Sequence, residues 1–444
     1  MKTIIHGQIF DFIKNPSDCS NPGDSYRFLV DGSLVIENGY IKEVGDFNSM
    51  KSKYSDYRII DHSDCLVMPG FIDTHIHYPQ TEIIGSYGRQ LIDWLNEYTF
   101  SVEKNFNDRE YAQNIARLFI KELLKNGTTT SMTYATQSAV SADAIFEAAS
   151  EYNMRFIAGK VLMNRNAPSV ICDTVESARK DCECLINRWH HEGRNLYAIT
   201  PRFAITSDME QLKMAGELHK KYPDTFIQTH LSENPSEVKT TLELFSDCRD
   251  YLEVYETAGL VDDYSFFAHC IHLSQSERQR LKSAGSIVVH CPTSNLFLGS
   301  GLFSLKETIE SGIKTCIATD VGAGTSFSMF RTLGDAYKIS QLQGYTVNSL
   351  ESFYSVTYGA ARALKLEDKI GSFRIGNEAD FIVVDYRTPD IQKHRMNYLV
   401  NQGKWNVENM LFGLQTMGDD RNISATYIMG MPAYCSEGAC ISES

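Results

Sequence analysis

Eight short apolar runs, separated by stretches typical of helices, dominate the chain between residues 69 and 371. One run ends in His75-Ile76-His77, and the other seven cover residues 128–132, 154–159, 197–200, 226–230, 265–269, 286–290 and 314–320. Strands that alternate with helices form a parallel sheet, and eight such strands suit a sheet that closes on itself. We therefore predict an α/β fold with a (β/α)8 TIM barrel over residues 69–371.

The two ends of the chain have a different pattern, made of short strands and turns. Residues 33–37 and 40–45 form two such runs, and Asn38-Gly39 between them is a strong signal for a β-hairpin. Turn and strand residues return at 370–385, directly after the predicted barrel. We predict that residues 1–68 and 372–444 together form a small β-sandwich domain, with a tail at the carboxyl end.

Composition limits the class of protein and the kind of partner. The 444 residues are enough for one large barrel and a smaller module. Hydrophobic residues make up 43% of the chain and charged residues 22%, which is typical of a globular protein. The formal net charge of −14 argues against a nucleic acid or an anionic membrane as partner, but it is compatible with a small neutral substrate.

The sequence contains no signal for a membrane or an oxidising compartment. The first residues lack the long apolar core of a signal peptide, and no run approaches the ~18 apolar residues of a transmembrane helix. The 11 cysteines are scattered and include no Cys-x-x-Cys pair, which argues against a disulfide framework or a zinc ribbon. We therefore expect a cytoplasmic protein with reduced thiols.

The run that ends in His75-Ile76-His77 is the most informative string for chemistry. It follows the apolar segment 65–68, which is typical of a buried strand. Because alternate side chains of a strand point to the same face, His75 and His77 can reach one point in space. Two imidazoles at one point favour a hydrolytic metal site, which needs further ligands from elsewhere in the chain.

Other predicted strands also end in residues that bind metal or move protons, namely His230, His269 and Asp320. The carboxyl ends of barrel strands converge at one mouth, so these residues can form a cluster with His75 and His77. Three histidines and an aspartate suit Zn²⁺ or Fe²⁺, with one position left for water. The bound metal would lower the pKa of that water to about 7.

Several candidate residues have both a functional and a structural interpretation. Glu233 is the candidate proton shuttle because it lies three residues after His230, but it could also cap a helix or be solvated. Arg202-Phe203 could be a loop charge and a core aromatic, or a pair that binds a planar heterocycle by hydrogen bonds and stacking. The remaining histidines considered need no metal to explain them: His190, His191, His272 and His290.

Taken together, these strings resemble the amidohydrolase superfamily over nearly the full chain. The resemblance rests on residues 69–77, the strands that end in His230 and His269, Thr319-Asp320, and residues 376–380. Within the superfamily, the chain is most similar to the guanine deaminase family, on the strings 77–80, 200–203, 229–234, 290–295 and 319–324. The zinc deaminases of the other known architecture carry His-x-Glu followed by Pro-Cys-x-x-Cys, a pattern that this sequence lacks.

The resemblance implies a homodimeric hydrolase that converts guanine to xanthine and ammonia with one zinc ion per chain. The implied metal ligands are His75, His77, His230 and Asp320. The implied catalytic residues are Glu233 for proton transfer, and His269 and Asp320 for the water and the leaving group. The implied contacts of guanine are Gln80, Arg202 and Phe203, together with His77, His230, Glu233 and Asp320.

Three alternatives stay open on the sequence alone. Lys160 follows a predicted strand, and a carboxylated lysine there could bridge two metals, although the His230-x-x-Glu233 element favours one. The substrate could be another heterocycle, such as cytosine, a triazine or a modified nucleoside. The chain could also be a binding protein that keeps the fold as a scaffold without catalysis, although its full set of ligands argues against that.

Overall fold

The strands form two sheets in the computed structural model, which describes residues 2–87 and 90–437. The strands are β1 Lys2–Phe12, β2 Tyr26–Glu37, β3 Tyr40–Asp46, β4 Arg58–Pro69, β5 Phe71–His77, β6 Thr128–Tyr134, β7 Arg155–Gly159, β8 Val161–Leu162, β9 Asn195–Pro201, β10 Phe226–Leu231, β11 Ser265–His269, β12 Ile287–His290, β13 Lys314–Ile317, β14 Phe381–Val384, β15 Ile423–Ile428 and β16 Met431–Cys435.

The helices lie mainly between the strands of the central region. They are α1 Phe47–Lys53, α2 Leu91–Trp94, α3 Phe100–Glu103, α4 Arg109–Lys125, α5 Ala139–Glu151, α6 Val175–Trp189, α7 Met209–Lys221, α8 Pro235–Leu244, α9 Tyr251–Thr257, α10 Gln275–Ala284, α11 Pro292–Phe297, α12 Leu305–Glu310, α13 Met329–Leu342, α14 Ser349–Ser355, α15 Tyr358–Ala363, α16 Asp390–Asn401 and α17 Val407–Met417. None of the described helices is both long and apolar enough to cross a membrane.

The central sheet is the predicted barrel. Its strands run parallel in the order β5-β6-β7-β9-β10-β11-β12-β13, while the short β8 pairs with β9. The two ends of this order meet, because the Asp320 amide donates to the His75 carbonyl at 3.0 Å and the His77 amide donates to the Val321 carbonyl at 2.7 Å. The sequence prediction of a (β/α)8 barrel with eight principal strands is therefore confirmed.

The helices of the barrel pack their apolar faces against its strands. In α4, the buried side chains include Ala112, Ile115, Ala116, Phe119 and Leu123, which recur at the three- and four-residue spacing of one helix face. Each strand thus leads into a helix outside the barrel and leaves the strand's carboxyl end free at the mouth.

The second sheet combines strands from both ends of the chain, in the order β16-β15-β14-β4-β1-β2-β3. The predicted hairpin joins β2 and β3, and its turn residues Asn38 and Gly39 have φ angles of 55° and 88°, as a tight hairpin turn requires. Strand β14 pairs antiparallel with β4 and thereby ties the carboxyl-terminal part to the amino-terminal part. The expected small β-domain therefore takes the form of one mixed seven-stranded sheet.

Gly70 alone separates the two sheets along the chain, because β4 ends at Pro69 and β5 begins at Phe71. A Cβ atom on Gly70 would lie 2.2 Å from the Thr129 side chain, so only glycine fits this crossing. The domain limits 1–68, 69–371 and 372–444 stay predictions, and their residues 1, 88–89 and 438–444 lie outside the described residues. The ten described cysteines are all free, and Cys440 lies in the part that is not described.

Candidate metal-dependent active site

The predicted cluster of histidines and aspartate assembles at the mouth of the barrel. His75 and His77 come from β5, His230 from β10 and His269 from the last position of β11, and Asp320 follows β13. The Asp320 Oδ1 atom lies 3.2 Å from His75 Nε2 and 3.3 Å from His77 Nε2. His269 Nε2 lies 3.7 Å from Asp320 Oδ2. Five residues from four strand ends therefore converge on one buried point.

The donor atoms of this cluster fit a divalent metal ion. One ligand atom from each of His75, His230, His269 and Asp320 lies within 4.8 Å of the others, and His77 Nε2 lies 3.3 Å from His75 Nε2. Ligand atoms about 2.1 Å from a tetrahedral metal are about 3.4 Å apart, close to the separations seen here. His75, His230 and Asp320 form the centre of the cluster. Both His77 and His269 lie close enough to act as further donors.

Hydrogen bonds fix the orientation of two of the imidazoles. His230 Nδ1–H donates to the Arg202 carbonyl at 2.7 Å, and His269 Nδ1–H donates to Asn295 Oδ1 at 2.8 Å. In both rings Nδ1 therefore carries a hydrogen and Nε2 faces the cluster, as in metal ligands whose other nitrogen is held by a second residue. His269 Nε2 is buried and has no hydrogen-bond partner among the described residues, so this nitrogen is available as a metal ligand.

Electrostatics keep the cluster in the protonation state that a metal needs. Burial lowers the pKa of His77 to about 3, and it also lowers the pKa values of His75 and His230. Burial by itself would raise the pKa of Asp320, but His75 and His77 outweigh it and hold that pKa well below its usual value. Neutral imidazoles beside an ionised carboxylate are the forms that coordinate divalent ions.

Backbone strain accompanies this arrangement. Ser232, His269 and Asp320 are not glycines, yet their φ angles are 51°, 70° and 51°. Such left-handed conformations cost about 1–3 kcal/mol each and persist where the surrounding structure enforces them, most often at functional sites. The strain turns the chain sharply at the ends of three strands, where the donors of the cluster lie.

Glu233 lies between β10 and α8 and faces the cluster. Its Oε1 atom accepts a hydrogen bond from the Ser300 hydroxyl at 2.8 Å, and its Oε2 atom lies 3.5 Å from His269 Nε2. Burial, assisted by the nearby Asp320 carboxylate, raises the pKa of Glu233 to about 8. A carboxyl group with a pKa near neutrality can both accept and donate a proton.

Glu233 does not cap α8, because Asn234 and Glu237 do so. Asn234 caps α8, and the Glu237 carboxylate accepts the backbone amides of Glu233 at 2.7 Å and of Asn234 at 3.1 Å. Tyr251 donates its hydroxyl hydrogen to the other oxygen of Glu237 at 2.8 Å. The Glu233 carboxylate is thus free to face the cluster while the start of α8 holds its backbone.

A small cavity opens beside the cluster. A concave site with mainly apolar walls and a few convergent polar groups is typical of small-molecule binding. All seven residues predicted to contact a substrate line the cavity: His77, Gln80, Arg202, Phe203, His230, Glu233 and Asp320. Its wall also includes residues to which the sequence analysis gave no role, namely Leu91, Trp94, Leu95, Ser294, Leu298 and Ala323.

Arg202 is a buried residue of the cavity wall and not an exposed loop charge. Its side chain is 3% exposed, and its Nη1 atom donates to both carboxylate oxygens of Glu103, at 2.7 and 2.9 Å. Gln80 is fixed in a similar way, because its Oε1 atom accepts the Gly322 amide at 3.1 Å. Glu103, which sequence reasoning missed, lies 99 residues before its partner and carries no motif.

Lys160 is held by contacts of its own. Its ammonium group donates to Asp173 at 2.5 Å and to the Gln137 carbonyl, and Lys160 does not line the cavity beside the metal donors. A lysine in an ion pair is unavailable for carboxylation until that pair is broken. These contacts favour the mononuclear alternative.

The other histidines have contacts that do not involve the cluster. His272 Nε2–H donates to the Ser300 carbonyl at 2.8 Å, and His290 stacks on Phe303 with ring centroids 4.5 Å apart. His190 and His191 lie away from the mouth, beside Asp224 at 3.3 and 2.7 Å. None of the four needs a metal to account for its position.

Comparison with known proteins agrees with this site. The model of the amidohydrolase family matches residues 66–432. A guanine deaminase from Escherichia coli (strain K12) is 45% identical over 431 residues, which cover 97% of each chain. The solved structure of E. coli guanine deaminase superposes with a TM-score of 0.92 and 44% identity, covering 98% of this chain and 99% of that one.

A further solved structure is a guanine deaminase from C. acetobutylicum with guanine bound in its active site. It is 28% identical, with a TM-score of 0.86, and the match covers 98% of this chain and 100% of that chain. The family model and the 45% identical relative both span most of the sequence. With its barrel, its buried donor cluster and these matches, the chain belongs to the amidohydrolase family.

Proposed function

We propose that this chain catalyses the hydrolytic deamination of guanine to xanthine and ammonia. The observation that carries the proposal is a buried carboxyl group, Glu233, that faces both a set of metal donors and a cavity walled by Arg202 and Phe203. The 45% identity to a guanine deaminase over 97% of both chains supports the choice of substrate.

The metal in this proposal is one zinc ion per chain. His75, His77, His230 and Asp320 are its proposed ligands, and His269 stands beside them as an acceptor for protons of the nucleophile. A divalent metal bound there supplies a hydroxide nucleophile at neutral pH, because it lowers the pKa of water. Fe²⁺ accepts the same donor set and is the alternative ion.

Glu233 is the proposed proton carrier. It takes a proton from the attacking water and delivers it to N3 of guanine, which makes C2 more electrophilic. A second transfer moves the remaining proton of that water, now on the oxygen bound to C2, to the exocyclic amino group. The bond between C2 and this nitrogen then breaks, ammonia leaves, and the oxygen stays as the new carbonyl of xanthine. The hydrogen bond from Ser300 holds the Glu233 carboxylate in reach of the ring, while Asp320 and His269 orient the nucleophile.

Three side chains are proposed to hold the purine. Arg202 donates hydrogen bonds to the ring carbonyl, Phe203 packs on the ring face and Gln80 contacts the ring edge with its amide nitrogen. A small cavity with a buried guanidinium favours guanine over cytosine, triazines and modified nucleosides. The scaffold alternative is disfavoured because the donors and the proton carrier are all present.

The cellular setting is also part of the proposal. A cytoplasmic homodimer agrees with the family resemblance and with a role in purine breakdown or salvage. Size measurement of the purified chain in solution tests the dimer directly.

A panel of free bases tests the substrate assignment. The purified, metal-loaded protein is incubated with guanine, adenine and cytosine, and ultraviolet spectra and ammonia release are recorded. We expect guanine to be converted to xanthine far faster than either other base is deaminated. Faster turnover of adenine or cytosine would leave a metal-dependent deaminase with a different substrate, and no ammonia from any heterocycle would favour the scaffold alternative.

A further inference from the structure

One helical segment, residues 91–107, both walls the cavity and holds Arg202. It contains α2, a π-helical turn over Leu95–Thr99, α3, and a 3-10 turn over Lys104–Asn107. Leu91, Trp94 and Leu95 from its first half line the cavity, whereas Glu103 from its second half does not. π-Helical turns inside helices occur frequently at functional sites.

The Glu103 carboxylate pairs with the guanidinium of Arg202. Its side chain is 1% exposed, and both of its oxygens accept hydrogen bonds from Arg202 Nη1. Among the described residues, the Glu103 carboxylate makes no other hydrogen bond. The ring of Phe100, one turn earlier in the segment, lies 5.6 Å from the guanidinium carbon of Arg202. The segment therefore contacts the guanidinium both by charge and by an aromatic ring.

This pairing leaves part of the guanidinium unused. An arginine side chain has five N–H donors in a rigid, planar group, and the Nη1 atom carries two of them. The Nε and Nη2 atoms of Arg202 have no hydrogen-bond partner in the described part of the chain. Because the group is planar, fixing Nη1 also fixes the direction of the three remaining N–H bonds of a residue that lines the cavity.

We propose that Glu103 is a positioning residue that aims Arg202 at the ring carbonyl of the substrate and thereby sets the preference for 6-oxopurines. The proposal rests on the function proposed above. It assigns to Glu103 no contact with the substrate and no part in proton transfer. Without its carboxylate, the Arg202 side chain can rotate, so the donors face the carbonyl for only part of the time.

Two ligands that carry no amino group at C2 isolate this effect from catalysis. Hypoxanthine has the ring carbonyl of guanine, whereas purine lacks it. The ratio of their inhibition constants measures recognition of the carbonyl alone. We expect wild-type protein to bind hypoxanthine much more tightly than purine, and Glu103→Gln to reduce that ratio by roughly 10- to 100-fold, mainly by weakening hypoxanthine.

The kinetics of guanine provide a second readout. Because the lost interaction concerns binding of the ring carbonyl, Glu103→Gln should raise KM for guanine more than it lowers kcat. If Glu103 had a merely structural role, its substitution would instead weaken the binding of hypoxanthine and of purine equally and would lower the fraction of active protein.

Glu378→Gln is the matched control. Glu378 is also buried and also paired with an arginine, since its Oε2 atom accepts from Arg155 Nε at 2.8 Å, but it does not line the cavity. This variant removes a comparable buried charge and should keep the wild-type ratio of inhibition constants.

The double variant Arg202→Met/Glu103→Gln shows whether Glu103 acts through Arg202. Because it removes both members of the buried ion pair, it can also be tested if Glu103→Gln alone folds poorly. The ratio of the inhibition constants of purine and hypoxanthine should be the same in the double variant as in Arg202→Met, because a positioning residue has no effect once its partner is gone.

Three results would each overturn the proposal. They are binding of purine as tight as that of hypoxanthine in the wild-type protein, a wild-type ratio in Glu103→Gln, and a lower ratio in the double variant than in Arg202→Met. If wild-type protein does not turn over guanine, the proposed function fails instead.

Discussion

At the scale of single residues, the site depends on two neighbouring side chains whose pKa values are shifted in opposite directions, those of His77 and Glu233. Burial lowers the pKa of His77 to about 3 and raises the pKa of Glu233 to about 8, although both side chains lie at the same barrel mouth. The His77 imidazole is therefore a neutral donor, whereas the Glu233 carboxyl group exchanges its proton near neutral pH. One mouth thus holds both a metal-binding group and an acid–base group.

Arg202 gives the residue-scale prediction. Arg202→Met keeps much of the side-chain length but removes every donor, so it should cost roughly 1–3 kcal/mol of guanine-specific stabilisation, or about a 5- to 150-fold loss in kcat/KM. Activity on guanine and binding of a purine without the carbonyl are measured together. Unchanged guanine turnover would show that Arg202 takes no part in recognition.

The site residues that the sequence predicts lie in local patterns, whereas the residues that it does not predict depend on the folded structure. His75, His77, His230, His269 and Asp320 could be found because each ends an apolar run, a local pattern. The partners of the site could not be found this way. Ser300 lies in a loop, and Asn295 lies in a short helix that follows His290-Cys291-Pro292, so their contacts depend on how these elements fold back over the mouth.

At the scale of elements, the start of α8 fixes the proton carrier. The Glu237 carboxylate accepts the backbone amides of Glu233 and Asn234 and also receives the Tyr251 hydroxyl. Burial raises the pKa of Glu237 to about 7, so a large fraction of this group is uncharged near neutral pH. An uncharged amide of the same shape should therefore serve almost as well.

Two variants of Glu237 give the element-scale prediction. Glu237→Ala leaves two buried amides without an acceptor and should lower the free energy of unfolding by about 1–3 kcal/mol and reduce guanine turnover. Glu237→Gln retains an oxygen for the amides and can donate to Tyr251, so it is the control and should stay near wild type. Urea denaturation and kcat are measured for both. Equal behaviour of the two variants would contradict this account of α8.

Element existence was easier to predict than element detail. The eight barrel strands and the β2–β3 hairpin could be predicted because periodicity and Asn38-Gly39 are local signals. The π-helical turn at Leu95–Thr99 and the short helices around it could not, since their hydrogen bonds depend on packing over the mouth. Glu103 was missed for the same reason.

At the scale of the whole molecule, buried ion pairs link the two sheets. Arg194, in the connection before β9, pairs with Glu378 at 2.5 Å and with Asp380, and both carboxylates lie just before β14. Arg155 of β7 pairs with Glu378 as well. The small sheet thus fixes the barrel at the end opposite to the cluster, while the mouth stays available for a metal and a substrate.

Metal content gives the prediction at this scale. The purified chain should contain about one divalent ion, and His75→Ala should lose metal and activity together. Removal of the metal should also lower the melting temperature, because a ligand that binds only the folded state stabilises it. His394→Ala is the control, since this exposed histidine of α16 belongs to neither group of possible metal donors among the described residues. Two ions per chain would favour the binuclear alternative, and an active chain without metal would contradict the account.

Turnover of guanine by Glu233→Gln at matched metal content is the most direct test of the central claim. The substitution keeps the shape of the side chain and the metal donors but removes the proton carrier. General acid–base catalysis contributes about 10²–10⁴-fold, so conversion of guanine to xanthine, followed by ultraviolet absorbance, should fall by at least about 100-fold while metal content stays at the wild-type level. Near-normal turnover in the metal-loaded variant would contradict the proposed role of Glu233 and the mechanism built on it.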